Sequence, residues 1–364
     1  MHYEHLPTEL IAHIFTSTAS VSDALTLSST CRRYREIFNR QKVTILAAAA
    51  EHQYGPLHDA VQLLTHNASQ PAHLVRTVPI SFSLIKQIVD IGRVAEKWAD
   101  LYPFKRWKAD FESRRLLTSY EQYRIRRALY RLWLYGEAFH NRQHTRETRQ
   151  IKLVVQERSR LLHNWSTEEL VEMADVRQVM RDVVGDNMCP SNGTIARKWR
   201  KRFPEDTTPH PLMFNIHLNY PPPATAMNPA FQPSGYHNPY NNHRPSRSTY
   251  SWSKYQSTPA HDPGAEGWGD AIQHYYVVED MLKLSPSQIL FLKENVKYKR
   301  DVESWIRWFA AAGCGDWGWF DNNGETWGET LRLVLAERGL EVANVLGEDG
   351  TGFDGDWGVV REEE

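Results

Sequence analysis

The chain has 364 residues, enough for one large or two ordinary domains with a hydrophobic core. A formal charge of -1 argues against a general nucleic-acid binder, and three scattered cysteines, Cys31, Cys189 and Cys314, with no Cys-x-x-Cys, argue against a disulfide framework or a zinc site. No apolar run approaches the roughly 18 residues of a membrane span, and a helical pattern begins too soon after Met1 for a signal peptide. A cytoplasmic or nuclear protein is expected.

The first pattern runs from Leu6 to Phe38. Pro7 suits the first turn of a helix, where its missing N–H would be unbonded anyway, and Glu9 complements the helix dipole. Leu10, Ile11, Ile14 and Phe15 then form an amphipathic stripe. After a Ser-rich turn, Ser22 or Asp23 is expected to cap a second helix bearing Leu25 and Leu27, and Thr30 precedes a third, Cys31 to Phe38. Helices this short cannot bury their own stripes within about 35 residues, so apolar surface is left for a partner.

In Leu6-Pro7, Glu9-Leu10, Ile14-Phe15, Leu25, Leu27 and Cys31-Arg32-Arg33-Tyr34 the segment resembles the F-box, the helical module that docks on the Skp adaptor of cullin-RING ubiquitin ligases. The resemblance implies an adaptor-binding set of Leu6, Pro7, Leu10, Ile14, Phe15, Leu25, Leu27 and Tyr34. Thr18 and Ala24 stand where the family usually carries Leu, which removes apolar area from the expected docking face, roughly 1.5–3 kcal/mol for each large side chain fully buried. Weaker adaptor binding is the expectation.

Downstream, Val43 to Tyr54 reads as a helix broken by Gly55-Pro56, and Leu57, Val61, Leu63 and Leu64 form the next. Ser81 or Ser83 would cap a helix burying Leu84, Ile85, Ile88, Ile91 and Trp98. Thr118 and Glu121 have capping-box spacing and open a helix to about His140, with Ile125, Leu129 and Phe139 on one face and Arg124, Arg127 and Arg131 nearly opposite. Its Arg126 to Tyr135 run resembles a stretch that follows the F-box in fungal F-box proteins. Ser166 and Glu169 form a second box, opening a helix that Gly185 is expected to stop, and Ile195 to Phe203 is a short basic helix.

From 204 to 267 the chain is rich in Pro, Asn and Ser and poor in aliphatic residues, so it is expected to be a disordered insertion. Helical signals return at Ile272 to Leu282, at Ser285-Pro286-Ser287-Gln288, at Asp301 to Ala312 with Gly313 as its stop, and from Thr326 to Gly339. Residues 301–364 are acidic by about ten net charges.

Trp317, Trp319 and Trp327 lie close together in the sequence, which reads either as a loop anchored on the core or as a recognition surface. Arg124, Arg127 and Arg131 read as a solvated stripe or as a surface for acidic or phosphorylated segments. His140 and His144 have i, i+4 spacing but no third ligand at a recognisable distance, and no nucleophile, phosphate-loop or dinucleotide motif occurs. No catalytic residue, cofactor or metal is assigned.

The expected architecture is mainly α: an F-box-like module at 1–45, a helical domain at 46–203 and 268–345 interrupted by the insertion at 204–267, and an acidic tail at 346–364. The resemblance implies a substrate-recognition subunit of an SCF-type ubiquitin ligase, with the Skp adaptor and an unknown protein target as partners. The alternatives are an F-box scaffold acting outside the ligase, or an enzyme housed in the helical domain.

Overall fold

A computed structural model describes residues 6–67, 69–141, 144, 147–202, 267–269, 271–314, 325–341, 345 and 358–360. The chain is mainly α; among the described residues there is no strand. The insertion expected at 204–267, except Gly267, lies outside the described residues, as do Trp317, Trp319 and almost all of the acidic tail. Among those described, no helix is long and apolar enough to cross a membrane.

The chain forms two compact units that do not follow its linear order: 1–138 with 159–177 and 331–364, and 139–158 with 178–330. In the first, α1 (Thr8–Thr16), α2 (Val21–Thr30) and α3 (Arg32–Arg40) close over α4 (Lys42–Tyr54), which packs along α6 (Phe82–Arg106). The short α5 (Leu57–Leu64) lies against α6 as well. Ser81, not Ser83, caps α6 by accepting the Leu84 amide at 3.2 Å. Gly92 is required within α6, because a Cβ there would run into the Tyr54 ring of α4.

Helix α7 (Ser119–Phe139) opens with the expected box: Glu121 N–H donates to Thr118 Oγ1 at 3.2 Å and Thr118 N–H to Glu121 Oε2 at 2.7 Å. Where it runs through the first unit it is buried on most sides, with Ile125, Ala128, Leu129, Tyr130, Leu134 and Tyr135 all inaccessible. It also completes the end of α4. Tyr130 Oη donates to the Tyr54 carbonyl and Arg126 Nε to the Gly55 carbonyl, both at 2.9 Å, so acceptors that no helix can satisfy find partners. The unit further includes the end of α8 (Lys152–His163), the start of α9 (Thr167–Val183) and most of α14 (Trp327–Glu337).

The second unit contains α10 (Asn192–Arg202), α11 (Ala271–Met281), α12 (Pro286–Asn295) and α13 (Lys299–Cys314). Its α9 end does not stop at Gly185. The helix widens instead into a π-turn over Val184–Met188, closed by Cys189 N–H donating to the Val184 carbonyl at 2.7 Å. Residues 267–269 run beside the start of α10, through Trp268 N–H to the Pro190 carbonyl and Asn192 N–H to the Gly269 carbonyl, each 3.0 Å. Ser285 and Gln288 form the expected capping box of α12 with Pro286 in its first turn, and α13 continues through Gly313 to Cys314.

Candidate functional site

The N-terminal module is fixed by local chemistry at each turn. Pro7 is the N-cap of α1, one residue outside the expected first turn, and its carbonyl accepts the Leu10 and Ile11 amides at 3.1 and 3.2 Å. Ser20, rather than Ser22 or Asp23, caps α2 by accepting the Asp23 amide at 3.0 Å. Cys31 caps α3, its Sγ accepting the Tyr34 amide at 3.4 Å. Arg33 Nη2 donates to the Leu6 carbonyl at 2.6 Å, tying the segment ahead of α1 to α3.

These turns divide the apolar stripe of α1 in two. Ile11 and Phe15 point inward with Ala24, Tyr34, Ile37, Phe38 and the α4 residues Ile45, Leu46 and Ala49. Phe15 meets Tyr34 edge-on at 6.1 Å and Phe38 at 5.7 Å between ring centroids. Leu10 and Ile14, one turn apart, face outward at 50% and 42% exposure, and Leu25 on α2 is 47% exposed. Pro7 is exposed and Leu6 and Leu27 are half-buried. Covering the free half of Leu10, Ile14 and Leu25 would contribute roughly 1 kcal/mol each.

Residues 3–43 match the F-box-like family model. No curated protein and no solved structure matches the chain. The chain therefore carries an F-box-like domain at its N-terminus, which gives it a general adaptor role.

Within that domain, two residues of the expected docking set are internal. Phe15 and Tyr34 are consumed by the domain's own core and leave no appreciable surface for a partner, because three short helices around α4 must use their aromatic side chains to exclude water. Ala24 is also wholly buried, so its small side chain subtracts nothing from an outer face; it belongs to the core shared with α3 and α4. Thr18 is half-buried and its Oγ1 donates to the Phe15 carbonyl at 2.7 Å, adding to the Thr18 amide, which donates to the same acceptor at 3.2 Å. The F-box-like domain is joined to the rest of the first unit by Gln53, which accepts the Val21 amide at 3.1 Å and donates to Glu96 at 3.2 Å. Nothing in the spacing of Gln53 or Arg33 announced those contacts.

The Arg124, Arg127 and Arg131 stripe is neither solvated nor a surface for an acidic partner. Arg124 and Arg127 share Glu172 at 3.0 and 2.6 Å, Arg127 and Arg131 share Glu169 at 3.1 and 3.0 Å, and Arg131 also meets Asp59 at 2.9 Å. A guanidinium removed from water needs a carboxylate, and α5 and α9 supply them. Burial alone would raise the Asp59 carboxyl, but hydrogen bonds from His58 and Arg131 outweigh it and hold the group below the ordinary carboxylate range.

Trp327 is buried at the start of α14 and offers no recognition surface. Its companions Trp317 and Trp319 are outside the described residues. His144 Nδ1 faces Asn141 Oδ1 at 3.1 Å and its ring meets Phe139 edge-on at 5.4 Å. Among the described residues no three His, Cys, Asp or Glu side chains are placed to hold a metal ion.

Proposed function

We propose that this chain is a substrate-recognition subunit of an SCF-type, cullin-RING ubiquitin ligase. The observation that carries the reading is a matched F-box-like domain whose core is internally complete while Leu10, Ile14 and Leu25 keep about half of their surface in solvent. Those three side chains, with Pro7 and Leu6 at the start of α1, dock on the Skp adaptor; the remaining helices hold a target protein. The subunit makes and breaks no bonds. It raises the effective concentration of a target lysine beside a ubiquitin-charged enzyme, which converts an encounter between two dilute molecules into a reaction within one assembly. This work belongs in the cytoplasm or nucleus.

The test is co-purification with a Skp adaptor, wild type beside the Leu10→Asp/Ile14→Asp variant. Both positions are half-exposed, so the variant keeps its helical circular dichroism while placing charge at a contact that must become dry. Binding that vanishes in the folded variant supports the docking face. Binding that persists removes it, and a wild type that never binds removes the ligase role. Turnover of a bound partner then separates a ligase subunit from a scaffold.

A further inference from the structure

Three residues far along the chain from the helices that hold them, Gly358 to Val360, sit in the first unit. Val359 is read through its backbone. Its N–H donates to Asp175 Oδ2 at 2.9 Å, its carbonyl accepts from Arg124 Nη1 at 3.0 Å, and its side chain is fully buried. Gly358 has φ +120°, and a Cβ there would meet Asp175 Oδ2 at 2.7 Å, so this position admits only glycine. No helix or sheet ladder supplies these bonds; two charged side chains do.

Both side chains are anchored without the segment they hold. Asp175 accepts from Tyr102 Oη at 2.6 Å, while Arg124 pairs with Glu172 at 3.0 Å and lies over the Tyr120 ring at 4.8 Å. Emptying the slot would therefore leave each charge one buried partner, and the receptor side would persist. Backbone recognition of a bent segment, with one pocket for a side chain and one position closed to any Cβ, is the chemistry of peptide capture.

We propose that Tyr102, Arg124, Glu172 and Asp175 form a receptor for a bent peptide segment in which glycine precedes a β-branched apolar residue, and that Gly358-Val359 fills it in cis. Released, the slot takes the same kind of segment from a target protein. The inference rests on the target-recognition reading only for the source of that segment. The binding measurement needs no adaptor, so the two readings fail separately.

The test uses the chain lacking residues 358–364 and a fluorescent peptide of residues 355–362, Gly-Asp-Trp-Gly-Val-Val-Arg-Glu, followed by anisotropy. The shortened chain binds saturably, the full chain binds at least tenfold more weakly, and a peptide carrying Gly358→Ala loses at least tenfold. The full chain with Gly358→Ala, which keeps every residue but frees the segment, binds the unaltered peptide as the shortened chain does. A folded shortened chain without binding, or a Gly358→Ala peptide that binds equally well, overturns the proposal. So does a pair of variants that both fail to fold, since the segment would then be a fixed part of the core.

Discussion

Replacing Arg131 by Met is the sharpest probe of the ionic cluster that α7 carries. The Arg131 side chain is 6% exposed and Asp59 8%, and they meet at 2.9 Å, so removing the guanidinium leaves a buried carboxylate whose remaining partner is the exposed His58 at 3.2 Å. Glu169 loses one contact but keeps Arg127 at 3.1 Å and is 21% exposed, so it adds little. Breaking a buried pair from one side costs about 3–5 kcal/mol, and we expect about 3 kcal/mol, the lower end, for Arg131→Met, because Asp59 keeps His58 beside it. Adding Asp59→Leu should recover more than half of it, because no charge is then left unpaired. Arg32→Met, which breaks the exposed pair with Glu36, should cost less than about 0.5 kcal/mol. Urea unfolding followed by circular dichroism measures all three. An Arg131→Met loss below about 1 kcal/mol would refute the reasoning, since water or His58 alone must then satisfy Asp59.

The cluster also sets an acid limit: the Asp59 carboxyl is depressed in the fold, so its contribution is present above the unfolded carboxylate pKa of about 4 and lost as pH falls through the folded value. Arg131→Met should flatten that part of a stability–pH curve. His58 has the opposite sign, its pKa being raised by the hydrogen bond to Asp59 at 3.2 Å despite partial burial. Its contribution is complete below about pH 6.5 and disappears as pH rises through the folded value, and His58→Gln should abolish that slope in urea midpoints taken from pH 6 to 8. Gly92→Ala should cost about 1–3 kcal/mol in thermal unfolding, because the new methyl pushes the Tyr54 ring off α6. Phe15→Ala should cost about 3–5 kcal/mol of stability whereas Leu10→Ala leaves stability nearly unchanged and weakens adaptor capture, an inversion that paired melting and pull-down measurements read directly.

The parts of the fold decided within three or four residues were legible in the sequence. The boxes at Thr118, Ser166 and Ser285 formed as spaced, because capping depends on a side chain and an amide one turn away. The stripe on α1 was equally plain, but its periodicity could not say which half faces the domain's core: Phe15 turns in and Leu10 out according to where α3 and α4 lie. The same gap explains the arginines of α7. A helical wheel places Arg124, Arg127 and Arg131 together without showing what covers them, and their carboxylates sit 45 and 72 residues away in the chain at Glu172 and Asp59. Helix α8 carries no clear periodic signal because Gln156 to Arg160 interrupts its apolar residues, although Arg158 is buried and donates to the Arg149 carbonyl at 3.0 Å. Gly185 has the signature of a stop in the sequence, yet a glycine inside a π-turn need not end a helix.

Helix α4 serves two interfaces at once. Ile45, Leu46 and Ala49 close the core of the F-box-like domain, while the same helix lies along α6 and Gln53 bridges from Val21 to Glu96. The F-box-like domain is thus no bead on a string; it is a bracket welded to the rest of the first unit. In a ligase subunit this makes geometry a selector: a target's lysines are sorted by whether a stiff arm delivers them to the transfer point, and tight binding cannot rescue one that falls short.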